Sequence, residues 1–116
     1  MTLPLTPDTL RAAYDYLATT PPFSRWNLPD GEDVVFRVVR SLELRGWYRL
    51  HKGRHVIGVS RNCIGTTDSL MRVMAHEMVH LHEENVGACG SGQHSAAFHR
   101  WAGQICRRHR FDPLLF

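Results

Sequence analysis

His76-Glu77-Met78-Val79-His80 reads H-E-x-x-H, and it lies within a stretch whose apolar residues recur at helical spacing. An α-helix turns about 100° per residue, so positions i and i+4 stack on one face. His76 and His80 therefore present two imidazoles to one metal ion. Glu77 lies about 100° round the same helix, where a carboxylate acts on water without being a ligand. That is the arrangement a zinc peptidase needs. Gly65-Thr66-Thr67-Asp68 supplies a turn and a cap for this helix. Leu70, Val73, Met74 and Leu81 supply its apolar contacts, and it is expected to end near Glu84.

Catalytic zinc takes three protein ligands and keeps one position open. His94 is the best third candidate, since it follows a glycine-rich loop (Gly87, Gly90, Gly92) and stands at the head of the next helix. His99 is the second choice, wrongly phased if Phe98 faces the core. His82 lies about 200° round the helix from His80 and is expected to point away. No Glu follows Glu84, which argues against a glutamate ligand from a later helix. His51, His55 and His109 read as surface residues, and Met71, Met74 and Met78 as packing residues.

Outward from the motif, Thr6-Pro7-Asp8 starts an N-terminal helix with Leu10, Ala13, Tyr14 and Leu17 as its buried stripe, ending near Ala18. Thr19-Thr20-Pro21-Pro22 stops it, and Pro29-Asp30-Gly31 is a turn. Val34 to Arg40 fits either a strand or a helical face, and its β-branched content favours a strand. Leu42 to Leu50 and His55 to Ser60 read as two more strands, joined by a turn at His51-Lys52-Gly53-Arg54. After the motif helix a last helix begins near His94 or Ser95, with Phe98, Trp101, Ala102 and Ile105 as its core face. Phe111-Asp112-Pro113 stops it, and Leu114-Leu115-Phe116 packs back or forms a short apolar tail. The expected fold is α+β: one domain over residues 1–116, with about three strands in an antiparallel or mixed sheet between an N-terminal helix and the metal-binding and C-terminal helices.

Composition is that of an ordinary globular protein, 43% hydrophobic and 22% charged, with no apolar run near the ~20 residues of a membrane span. Three widely spaced cysteines form neither a disulfide framework nor a zinc ribbon, and no secretory signal opens the chain, so a cytoplasmic setting is expected. Of the 14 basic residues all but Lys52 are arginine. Arg37, Arg40, Arg45, Arg49, Lys52, Arg54 and Arg61 face one acid, Glu43, in the same stretch, and Arg107 and Arg108 belong to a second basic group. Arginine suits bidentate phosphate contacts, so DNA is an expected partner of these residues.

The combination Phe23-x-x-Trp26-x-Leu28-Pro29, Ile57-Gly58-Val59-Ser60, His76-Glu77-Met78-Val79-His80 and His94-Ser95-Ala96-Ala97-Phe98 resembles the SprT-like (Spartan-type) metalloprotease domain. The resemblance runs from about Phe23 to Asp112, with Ser95 where that family usually has Gly. It implies a zincin-like fold, zinc bound by His76, His80 and His94, Glu77 as catalytic acid/base, and a DNA-associated protease, since the family's best-known members degrade proteins crosslinked to DNA. The zinc ribbon that often follows such a domain has no counterpart here, leaving DNA targeting to the arginines or to a partner. A nucleoid-associated location follows if the DNA link holds.

Zinc activates water and polarises the scissile carbonyl, with Glu77 as general base. The His55 to Ser60 strand is read as a sheet edge that pairs with an extended substrate. Tyr48 and His109 are candidates to stabilise the oxyanion, and Cys89, in the loop between ligands, is a candidate to occupy the open metal position. The alternatives are a non-catalytic zinc-stabilised DNA-binding module and a hydrolase of small-molecule amides.

Overall fold

The computed structural model describes residues 4–87 and 94–116. Helix α1 (Pro7–Ala18) opens where Thr6 accepts a hydrogen bond from the Thr9 amide, and it buries the expected stripe of Leu10, Ala13, Tyr14 and Leu17. Strands β1 (Val34–Val39), β2 (Gly46–His51) and β3 (Arg54–Ser60) follow, then helices α2 (Thr67–Asn85) and α3 (Ala96–His109). The ambiguous stretch after Asp33 is thus a strand. The segment from Leu42 to Arg45 precedes β2 rather than belonging to it.

The sheet is mixed, in the order β1-β3-β2. β2 and β3 form an antiparallel hairpin whose two-residue turn, Lys52-Gly53, has φ of 51° and 77°. Positive φ at both turn positions gives the twist that joins tightly paired strands. β1 pairs parallel to β3, with Phe36 opposite Ile57. β3 is therefore central, and its expected role as a sheet edge is corrected: β1 and β2 are the edges. A parallel partner lies far off in the chain and leaves no local signal, so the order is not readable from strand patterns.

Helices α1 and α2 cover one face of the sheet, and α3 packs on α2. Val34, Ile57 and Val59 point into a core shared with Leu10, Tyr14 and Leu17 of α1 and Val73, Met74 and Met78 of α2. Thr66 and Ser69 cap α2 reciprocally, each side chain bonding the other's backbone amide. Met74 and Met78 are fully buried and Met71 packs against the core, as expected. Among the described residues, no helix is long and apolar enough to cross a membrane.

Candidate metal centre

Helical phase brings His76 and His80 together as the motif requires. Their Nε2 atoms stand 3.3 Å apart. His94, two residues before α3, completes the set: one nitrogen from each of the three rings lies within 4.8 Å of the others. His99 is exposed and outside the group, while His82 points away from it, as expected. Ser95 caps α3 by accepting from the Phe98 amide at 3.1 Å, which sets where the helix starts. Phe98 then lies parallel to the His94 ring, with centroids 4.0 Å apart, and contacts the rings of His76 and His80 as well.

The outer nitrogens of the two helical ligands are both engaged. His76 Nδ1 is 2.6 Å from the Phe116 backbone oxygen, and His80 Nδ1 is 2.8 Å from Glu83 Oε1. Each acceptor calls for a proton on Nδ1, which leaves both Nε2 atoms as bare lone pairs. Between neutral rings, two such lone pairs 3.3 Å apart are brought together by a shared proton or metal ion. Nitrogens bound ~2.0–2.1 Å from a tetrahedral ion stand about 3.4 Å apart, which the His76–His80 spacing matches. The His76/His80/His94 group can hold a metal ion.

Electrostatics favour the neutral form of His76 and His94. Burial pushes His76 down to about 4, with His80 and then His94 adding to the effect against the opposing Phe116 carbonyl. His94 is lowered by burial first and then by His80 and His99. Glu77 is 5% exposed, and burial alone pushes its carboxyl up to about 8. It lines a cleft of about 270 Å³ together with His76, Arg72, Glu43 to Gly46, Leu115 and Phe116. The C-terminal segment thus packs back, with Phe116 against His76 and Phe98, while Leu114 stays exposed.

Several expectations need correction. His55 is half-buried, its Nδ1 2.6 Å from the Tyr48 hydroxyl. His109 is also half-buried, 2.9 Å from Thr20 Oγ1 and stacked on Phe111. Both were expected on the surface; their partners lie on other elements and could not be read from local pattern. Neither Tyr48 nor His109 lines the cleft, so neither is placed to stabilise an oxyanion there. Cys89 lies outside the described residues.

The expected arginines, Arg37, Arg40, Arg45, Arg49, Arg54, Arg61, Arg107 and Arg108, are all exposed. Strand pairing puts Arg37, Arg49 and Arg54 on the sheet face opposite the helices, where Arg37, Gly58 and Trp47 form one row. Trp47 lies flat across Gly58: a Cβ there would fall 2.2 Å from its indole. Arg49 sits over the same ring at 4.7 Å. Arg107 and Arg108 lie elsewhere, on α3 beside Pro21, Pro22 and Arg25.

Glu83, Gly46 and the Phe116 carbonyl belong to the site and were not foreseen. The i, i+3 spacing of His80 and Glu83 was the one available signal. No model of a known protein family matches the chain, and no curated protein matches it.

Proposed function

We propose that the chain is a zinc-dependent endopeptidase acting on DNA-associated or DNA-crosslinked proteins, in keeping with its resemblance to SprT-like domains. The observation that carries this reading is the grouping of three imidazole nitrogens within 4.8 Å beside a cleft lined by Glu77. A donor set of three histidines suits zinc, and three ligands leave a coordination position open, as catalytic sites do and structural sites do not. Zinc held there supplies Lewis acidity and lowers the pKa of water toward neutrality. Glu77 takes a proton from the attacking water and delivers it to the leaving amine.

The substrate is an extended polypeptide segment. Arg45 and Gly46, just before and at the start of edge strand β2, line the cleft beside Glu77. A segment added to that edge gains backbone hydrogen bonds and little sequence preference. Association with DNA rests on the outer sheet face, where Arg49 sits over Trp47 and Arg37 and Arg54 share the face. Guanidinium groups meet phosphates there and the indole offers a stacking surface. The protein then works in the cytoplasm at the nucleoid.

The test is cleavage of casein and of a DNA-bound protein, with and without single-stranded DNA. The purified protein carries about one zinc per chain, and Glu77→Gln abolishes cleavage while keeping the metal. Cleavage by that variant would overturn the mechanism. DNA binding with zinc bound but no cleavage of any substrate by the native chain would favour the non-catalytic DNA-binding module instead.

A further inference from the structure

Glu83 is 3% exposed, and its carboxylate reaches both halves of the metal-binding group. Oε1 is 2.8 Å from His80 Nδ1, and Oε2 is 3.2 Å from Ser95 Oγ. The Ser95 hydroxyl donates to Glu83 and at the same time accepts from the Phe98 amide. His94, the third ligand, is the residue before Ser95. One buried carboxylate therefore joins the second ligand on α2 to the lead-in of α3.

We propose that Glu83 is a positioning residue that holds His80 and His94 in register for the metal, with Ser95 as its relay. The inference rests on the reading of the three histidines as metal ligands. A carboxylate this deeply buried is unfavourable unless its oxygens are filled. Here one oxygen fixes the His80 tautomer and ring plane, and the other anchors the segment carrying His94. Loss of such an outer partner of a ligating histidine typically weakens metal binding about 10–100-fold. Glycine at position 95 serves almost as well as serine in capping a helix. It cannot donate to Glu83, so Ser95→Gly separates the relay from the cap.

Zinc affinity of the full chain, measured by competition with a chromophoric chelator, tests this. Glu83→Ala is expected to weaken zinc binding about 10–100-fold. Ser95→Gly should weaken it several-fold, and the double variant should bind no more than about twofold weaker than Glu83→Ala alone, because the two act through one link. Melting in EDTA supplies the second readout: the zinc-loaded form should lose more thermal stability than the metal-free form. Affinity within about twofold of native in Glu83→Ala, additive losses in the double variant, or equal losses of both forms would each overturn the proposal and leave Glu83 a packing residue. If Glu83→Ala does not fold, Glu83→Leu, which keeps the bulk and accepts no hydrogen bond, is measured in its place, and native affinity there is equally fatal. Absence of zinc binding by the native chain is a different failure, that of the three-histidine reading itself.

Discussion

Gly46 lies directly against the Glu77 carboxylate: a Cβ at position 46 would stand 3.3 Å from Glu77 Oε2 and 2.7 Å from Val73 Cγ1. The third neighbour of that Cβ is the Gly58 backbone oxygen, at 3.0 Å, which cannot swing aside. The first residue of β2 must be small so that α2 can bring Glu77 up to the sheet. Gly46→Ala is expected to destabilise the fold by about 1–3 kcal/mol, the range for overpacking, and to displace the carboxylate. Urea denaturation reads the first effect and peptide cleavage the second. Unchanged stability would mean that α2 and β2 are less closely apposed.

Chelation should unfold the chain at lower temperature. A metal that binds only the folded state stabilises it by about 4 kcal/mol when present at a thousand times its Kd, which corresponds to roughly 10–20 °C in Tm for a chain of this size. Melting curves with zinc and with EDTA measure the difference. Replacing any one of His76, His80 and His94 by alanine should abolish most of the shift. A shift surviving His94→Ala would remove that residue from the ligand set.

His82 sits between two tryptophans, stacked on Trp26 at 4.1 Å and edge-on to Trp101 at 4.7 Å. Its Nδ1 is buried without a hydrogen-bond partner. An unsatisfied buried polar atom costs about 1–3 kcal/mol, so His82→Phe, which keeps the stack and removes that atom, should be neutral or stabilising. His82→Ala should instead destabilise by about 2–4 kcal/mol, because it empties the space between the indoles. The opposite ranking in thermal melts would show that the ring nitrogens are essential there.

Acid should weaken the fold through His109. Burial lowers its pKa, with Arg108 adding to the effect. The Thr20 hydroxyl already donates to the Leu17 carbonyl, so it accepts from His109 Nε2–H, and the ring is held neutral against Phe23 and Phe111. The unfolded chain then binds a proton more readily than the folded one. Stability from this group is intact above the unfolded value, about 6.5, and is lost as pH falls below it toward the depressed folded value. Urea midpoints between pH 8 and pH 5 should fall, and His109→Gln should flatten that fall. An unaltered slope in the variant would assign the effect to other groups.

Much of this architecture can be read from local pattern. Thr6-Pro7-Asp8 and Thr66 with Ser69 start helices by their own hydrogen bonds, and Gly53 readily takes the positive φ that its turn requires. The pair His76 and His80 follows from helical pitch. What escapes the sequence is made by partners remote in the chain: β1 alongside β3, His109 against Thr20, Tyr48 on His55, Ser95 on Glu83. The Phe116 contact to His76 uses a backbone oxygen, which every residue possesses, so no residue type could have announced it.

That contact also orders events during synthesis. His76 takes its orientation from a carbonyl forty residues downstream. Chains emerge from the ribosome N-terminal end first, at about 5–20 residues per second, so α1, the sheet and α2 are exposed for seconds before residue 116 arrives. Throughout that interval the first histidine of the motif lacks the acceptor that fixes its tautomer. The three-histidine group gains this support only once the segment carrying Phe116 has been made and has folded back onto α2.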